Sequence, residues 1–487
     1  MKLSNATLDQ MPSGILVPNY DRSKLTAGII HIGLGNFHRG HQAWYLHRLM
    51  QQGKAQDWAI VGAGVRHNDA AMRERLLAQD CLTTLIELDP LQTSIEITGS
   101  MIDFLPVEES NAALIRAVSD PKIRIVAMTV TEGGYYRNVD GTLNTTHPDI
   151  VHDVANPAIP RTAFGAMVAA LGARRDANVG AFTGLCCDNL QHNGDVLRQT
   201  VVELARLSDP DLAQWISQNA SFPNSMVDCI VPATGPTEIA QVKSLGIDDA
   251  APVTHEAFRQ WVIEDDFCAG RPPWEDVGAT LTDNVAPYET MKIRMLNAGH
   301  QVLANAGELL GVPTIAACMA DPEIAGFFQR VEEYEIAPYV APVPGMTPTQ
   351  YLELISQRFA NPKIHDTTRR VAFDGSSRHP GFVLPILKDA LKAEGRIDGL
   401  ALTEALWARM CAGLRDDETE IEPNDPNWPA LNEAALIART NPGAWLSQHA
   451  IYGTLASEAR FSDEFASWLD ALWQHGTRAT LRRFLDG

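Results

Sequence analysis

The chain has 487 residues, with 39 Lys+Arg against 60 Asp+Glu, a formal charge of −21 and a pI near 5.0. So acidic a surface excludes phosphate backbones and anionic membranes as partners, and no apolar run approaches the ~18 residues of a membrane span. With 45% hydrophobic and 20% charged residues, the composition is that of a globular protein of two to four domains rather than a disordered chain.

The N-terminal MKLSNATLDQMPSG lacks an apolar signal core, so a cytoplasmic address is expected. From there to about residue 283, short β-branched runs alternate with amphipathic stretches: GIIHIGLG (28–35), WAIVGAGV (58–65), IRIVAMTV (123–130) and GAFTGLCC (180–187). Runs this uniformly apolar predict parallel strands buried on both faces, joined by crossover helices, hence an open α/β sheet. MVDCIVP (226–232) and AFRQWVIED (257–265) read as further strands extending an edge of that sheet.

The first strand ends in Gly33-Leu34-Gly35-Asn36-Phe37-His38-Arg39-Gly40 and opens a helix, where backbone N–H groups could meet a dinucleotide pyrophosphate. The spacing departs from GxGxxG, because His38 stands at the third glycine position. After the second strand, Asp69 could accept from the adenosine ribose hydroxyls, which suits NAD. It could equally cap a helix, and nearby Arg66 would suit the 2′-phosphate of NADP. The third strand leads into Thr131-Glu132-Gly133-Gly134-Tyr135 and the fourth into Cys187-Asp188-Asn189. Both lie at carboxyl ends of strands, where open α/β sheets bind ligands, although both are also common turn formers.

The seven cysteines are odd in number and contain no CxxC pair, which argues for reduced thiols. Cys186 and Cys187 with His192 and His300 leave a catalytic zinc as an alternative to packed strand residues.

From about residue 284 to 487 the signals are helical. Asp321-Pro322 and Thr347-Pro348 each place a capping side chain before a first-turn proline. Ser462 is expected to start a last helix bearing Phe465, Trp468, Leu469, Leu472 and Trp473 on one face, with Gly476 closing it. Lys292, Asn297 and His300 lie in a helical segment; at ~100° per residue Asn297 falls ~140° and His300 ~80° from Lys292, so all three can face one cleft. A desolvated lysine can act as general base and an Asn amide can stabilise an alkoxide, while a solvated lysine and a structural histidine are the plainer reading. Arg369, Arg370 and Arg378 could bind hydroxyls or a carboxylate, or pair on the surface.

GLGNFHRGHQA, TVTEGGYY, CDNLQHNG, SMVDCIVP, FRQWVIEDDFCAGRPPWEDVGA and YETMKIRMLNAGH, in this order over nearly the whole chain, resemble the polyol-specific long-chain dehydrogenases/reductases. That family acts on mannitol, arabinitol and sorbitol and, in other members, reduces fructuronate and tagaturonate. The resemblance implies an extended Rossmann-like dinucleotide-binding domain (1–283) and a mainly α-helical substrate domain (284–487). It implies metal-independent, NAD(P)-linked oxidation of a secondary alcohol of an acyclic polyol to a ketose. Mannitol to fructose is the first expectation, with hexuronate reduction the alternative; a zinc alcohol dehydrogenase or a nucleotide sensor ranks lower.

By matching position, Lys292 is the general base, Asn189 and Asn297 form the oxyanion hole, His300 positions the reactive oxygen and Glu289 leads the proton away. Asp228, Arg370 and Arg378 match substrate-binding positions, and Gly33, Gly35, Asn36, Phe37, Asp69 and Glu132 are expected at the cofactor. The family commonly has Arg after that Asp, where Cys229 stands here, which predicts the loss of a buried guanidinium. The catalytic run reads Asn297-Ala298-Gly299-His300 in place of the usual Asn-Gly-Ser-His. The expected partners are a small polyol or ketose, with no nucleic acid and no membrane, in a monomer or small homo-oligomer.

Overall fold

Strands of apolar, β-branched residues need helices on both faces, and the N-terminal half supplies them. The computed structural model describes residues 1–138 and 140–487, without the side chain of Glu132. Its strands are β1 Ala27–Ile32, β2 Ala59–Ala63, β3 Thr83–Leu88, β4 Thr93–Thr98, β5 Met101–Phe104 and β6 Ile125–Met128. They continue with β7 Thr183–Cys186, β8 Ser225–Asp228, β9 Val253–His255, β10 Gln260–Glu264 and β11 Thr280–Thr282.

Five strands form a parallel sheet in the order β5-β2-β1-β6-β7. Ile32 at the end of β1 lies opposite Ala63 on one side and Met128 on the other. The strand order reverses beside β1, so a crevice opens at the carboxyl ends of β1 and β6. One face packs on the helices Ala112–Ser119, Ala163–Asp176, Asn193–Ser208 and Pro210–Asn219. The other packs on the helix Gln42–Gln51 and the buried rings of Trp58, Trp261 and Trp274.

The later strands do not extend this sheet. β8 and β10 run antiparallel, with Met226 opposite Val262, and β11 joins β10 to make a separate three-stranded sheet. The reason is local. The Gly184 N–H of β7 donates to Ser221 O, while the Asn193 amide takes both the N–H and the C=O of Ser225 (2.8 Å each). The Ser225 hydroxyl (2.6 Å) and the Asn193 amide (3.2 Å) also donate to Cys186 O, so the edge of β7 is met by a loop carbonyl and by side chains where a sixth parallel strand would pair. The hairpin β3–β4 and β9 form a third sheet.

The chain divides into two compact units, Met1–Ala286 and Pro287–Gly487. The second is helical. Asp321 accepts from the N–H groups of Glu323 and Ile324, and Thr347 forms a capping box with Gln350, so both proline-led helices start as predicted. The last helix, Ala459–Asp486, begins ahead of Ser462, and Gly476 (φ 77°, ψ 169°) interrupts rather than ends it. Helix resumes because Asp416 caps the next turn, accepting from Thr477 N–H (2.6 Å) and Thr477 Oγ1 (3.1 Å).

Three segments of this unit are π-helical: Lys292–Asn297, Glu332–Ile336 and His379–Val383. The other two pack against the first. No helix of the described residues is long and apolar enough to cross a membrane.

Candidate active site

The glycine turn is built by what its neighbours leave room for. Gly33 sits at φ +92°, and a Cβ there would collide with the Thr129 carbonyl. Its N–H donates to Ala63 O (3.0 Å) and its C=O accepts from Thr129 Oγ1 (2.7 Å), stitching the turn to both strands flanking β1. Gly35 caps the helix Asn36–Gly40 and faces open space, so a ligand can approach its backbone.

Asp69, first residue of the helix Asp69–Leu77, accepts from the Arg66 N–H at 2.9 Å and packs on Gly64, where a Cβ would overlap it. Around these residues lies a cavity of about 590 Å³ lined by Gly33, Gly35, Arg66, Asp69, Thr131 and Arg161, among others. Arg66 and Arg161 bring two guanidinium groups to a wall that also carries the carboxylates of Asp69 and Asp149. Size, position at the strand switch and the carboxylate of Asp69 all fit a dinucleotide.

Asn36 and Phe37 stand beside this cavity rather than in its wall. The Asn36 amide donates to Pro232 O and Thr234 Oγ1 (2.9 Å each), and Phe37 stacks on His41. The Glu132 side chain falls outside the described residues.

At the end of β7 the buried Asp188 carboxylate accepts from Thr131 N–H (2.8 Å), Val130 N–H (3.1 Å) and Tyr135 O–H (2.6 Å), and Cys186 Sγ lies 3.9 Å away. Asn189 follows directly. Burial pushes the Cys186 and Cys187 thiols up, Cys186 sits beside the Tyr135 hydroxyl, and no group of three metal-binding side chains occurs among the described residues. Asp228, buried, ends β8. Asp228, Cys229 and Arg259 all act electrostatically on the Tyr45 phenol, so a buried guanidinium does occupy this neighbourhood, supplied by Arg259.

In the second unit, Lys292 and Asn297 are the first and last residues of one π-helical segment. With i→i+5 pairing, residues five apart stack along one face, so the wide separation expected from α-helical spacing does not apply. Lys292, Asn297 and Glu289 are all buried. His300 lies in the next turn, its ring stacked on Phe359 at 4.2 Å. Burial holds its imidazolium down to about 4 against the opposing Asp366 carboxylate, and Arg370, Arg358 and Arg378 reinforce the effect. His300 is therefore neutral near pH 7, and its Nε2 has no hydrogen-bond partner among the described residues. Arg370 makes a bidentate pair with Asp366 (2.6 Å each), and Arg378 donates to Val371 O. His300, Arg370 and Arg378, far apart in sequence, thus share one electrostatic neighbourhood.

Residues 27–276 match the mannitol dehydrogenase Rossmann domain and residues 284–473 the mannitol dehydrogenase C-terminal domain. The chain belongs to the mannitol dehydrogenase family. It is 54% identical to a mannitol 2-dehydrogenase of Cereibacter sphaeroides, covering 98% of this chain and 100% of the relative. A mannitol 2-dehydrogenase of Aspergillus terreus is 36% identical over 100% and 99% of the two chains.

Among solved structures, the Pseudomonas fluorescens mannitol 2-dehydrogenase ternary complex with NAD and D-mannitol superposes with a TM-score of 0.89 at 38% identity, covering 100% of both chains. A substrate-free D-sorbitol dehydrogenase gives 0.91 at 33% identity over 99% and 100%. A Rossmann-like domain followed by a helical one is the architecture of this mannitol dehydrogenase family member.

Sequence reasoning passed over several residues of these sites. Asp188 looked like turn chemistry, because its three donors come from a loop more than fifty positions away. Arg358, Phe359 and Asp366 carried no motif. Arg161 gave no signal at all.

Proposed function

We propose that the chain is an NAD-dependent polyol dehydrogenase that oxidises one secondary alcohol of an acyclic polyol to the ketose. D-mannitol to D-fructose is the first choice, ahead of D-arabinitol or D-sorbitol. The observation that carries this reading is the placement of buried Lys292 and Asn297 at the two ends of one π-helical segment, next to a neutral His300 whose Nε2 has no hydrogen-bond partner among the described residues. The name of the Cereibacter relative, at 54% identity, supports mannitol.

In this reading Lys292 removes the hydroxyl proton, and Glu289, three residues earlier, takes it onward toward solvent. The Asn297 and Asn189 amides donate to the oxygen as it gains negative charge, when such bonds are strongest. His300, uncharged, orients the same oxygen without imposing a competing positive charge. Asp228, Arg370 and Arg378 bind the remaining hydroxyls. Bound NAD supplies the hydride acceptor. Residues 1–283 hold that cofactor through Gly33, Gly35 and Asp69, with Asn36, Phe37 and Glu132 supporting, while residues 284–487 supply the base. The acting species in this reading is a cytoplasmic monomer or small homo-oligomer.

The test is Lys292→Ala. Loss of a positioned general base lowers kcat by roughly 100- to 10,000-fold near neutral pH with NAD affinity retained, and near-normal turnover would sink the mechanism.

A hexuronate reductase is the second reading, favoured by the three guanidinium groups near His300. Against it, Asp366 already neutralises Arg370 in bidentate geometry, which leaves less attraction for a substrate carboxylate. NADH oxidation with fructose compared with fructuronate decides between them.

A further inference from the structure

Thr131 is held in an unfavourable backbone conformation at the wall of the cofactor cavity. Its φ of 68° and ψ of 158° belong to a region that β-branched residues avoid. Thr131 and its neighbour Val130 both line the cavity, and their consecutive N–H groups converge on one carboxylate, that of Asp188 (2.8 and 3.1 Å). Tyr135, fully buried, adds its hydroxyl at 2.6 Å. Three donors on one side chain call for a group that only accepts, which an ionised carboxylate is and an amide is not.

The backbone of Asp188 is held as well: its C=O accepts from Leu190 N–H at 2.9 Å. The same C=O accepts from the Asn193 amide at 3.1 Å, and that amide also holds Ser225 of β8. Asn189 is the next residue along the chain. We propose that Asp188 is a positioning residue: its carboxylate locks the strained Val130–Thr131 wall of the cofactor cavity to the strand end that presents Asn189.

One side chain thereby sets two distances at once, from the cofactor to its pocket wall and from the Asn189 amide to the reacting oxygen. The second half rests on the role of Asn189 proposed above; the first does not. Loss of the carboxylate frees Thr131 to relax toward an ordinary β conformation, and the wall and Asn189 drift independently.

The test is Asp188→Asn, read by fluorescence titration of NADH, by steady-state kinetics with NAD and mannitol, and by circular dichroism to confirm folding. The amide turns an N–H₂ toward at least one of the three donors. NADH affinity is expected to fall about tenfold, as for loss of charge-assisted hydrogen bonds. The kcat is expected to fall about 100-fold, as for a misplaced catalytic group.

Adding Thr131→Gly separates the two effects, because glycine adopts this φ and ψ without strain. The double variant recovers NADH affinity to within about threefold of wild type while kcat stays low, since Asn189 is still unanchored. A folded Asp188→Asn protein with both values within about twofold of wild type overturns the proposal. So does a double variant that binds NADH no better than Asp188→Asn alone. If Asp188→Asn does not fold, Tyr135→Phe removes one donor and leaves the charge; a roughly threefold loss of NADH affinity is expected there, and none overturns the proposal. Should the wild-type chain fail to oxidise mannitol, the proposed substrate is wrong, and the NADH titrations still decide the role of Asp188.

Discussion

His379 Nδ1 lies 2.7 Å from Glu404 Oε1, and neither side chain reaches solvent. The Tyr452 hydroxyl donates to Glu404 Oε2 (2.7 Å) and accepts from Trp445 Nε1 (2.6 Å), while Asn305 Nδ2 lies 3.2 Å from His379 Nε2. The donors and acceptors are consistent with one tautomer: Nδ1–H donates to Glu404 and Nε2 accepts from Asn305. The His379 ring also stacks on Trp407 at 4.2 Å. This buried network ties the π-helical segment His379–Val383, immediately after Arg378, to the helix Ala298–Leu309, immediately after Asn297.

Glu404→Gln tests what the network does. The amide must turn its N–H₂ toward His379 or Tyr452, both of which donate, so one buried donor is left without an acceptor at a cost of about 1–3 kcal/mol. Calorimetry should show a Tm lower by several degrees. Because the loosened segment follows Arg378, KM for the polyol should rise more than kcat falls. A change in Tm with no change in KM would leave the network structural only.

Glu335 predicts an unusual pH dependence. Burial raises its carboxyl from 4.5 to about 7, although it accepts from the N–H groups of Gly399 and Leu400 at the start of the helix Asp398–Cys411. Between those values the folded state binds a proton that the unfolded chain has released. Its contribution to stability is fully present below about pH 4.5 and is lost as pH rises through 7. The difference of 2.5 corresponds to about 3 kcal/mol. Glu335→Gln should flatten the fall in stability between pH 5 and pH 8 relative to wild type. Parallel stability profiles for the two proteins would show that Glu335 does not titrate in this range.

Asp69 and Arg66 give a prediction about the cofactor. Asp69 faces the cavity and accepts from the Arg66 backbone, so its carboxylate shapes the turn, and under the proposed function it also meets the ribose. Replacing it by Ser removes charge-assisted bonds to the ribose hydroxyls and should weaken NADH binding by about tenfold. Repulsion of a 2′-phosphate disappears with the charge, so NADPH binding should strengthen. Equal losses for both cofactors, read by fluorescence titration, would mean that Asp69 serves the turn alone.

These cases show where residue patterns carry information. Gly33 was legible because a glycine that ends a buried strand allows a tight left-handed turn, although the clash that makes it obligatory comes from Thr129, 96 positions along the chain. The helix starts at Asp321 and Thr347 were legible for the same reason: a cap and a proline act on their own first turn. The π geometry of Lys292–Asn297 was not. Nothing in KIRMLN forbids an α-helix, and the two other π segments that pack on it come from far along the chain, beyond the reach of a local pattern. Gly476 reads as a helix end until Asp416, sixty residues earlier, is seen to cap the turn beyond it. The fate of β8 depended in the same way on the Asn193 amide.

Gly299 lies between Asn297 and His300, and its lack of a side chain is a steric requirement. A Cβ there would stand 2.5 Å from Glu332 Oε1 and 2.8 Å from Phe328 Cε2. Glu332 is fully buried in its own π segment, and burial pushes its carboxyl far above the usual range, so it packs as a neutral acid. Neither neighbour can yield easily, since Phe328 is also fully buried. Gly299→Ala should therefore destabilise the protein by about 1–3 kcal/mol through overpacking. It should also displace Asn297 and His300 together, lowering kcat about 100-fold with NADH affinity unchanged, because the cofactor cavity lies wholly within residues 32–164. Glu332→Ala in the Gly299→Ala background opens space for the methyl group and should restore most of the lost kcat. A double variant as slow as Gly299→Ala alone would show that the glycine serves something other than clearance from Glu332.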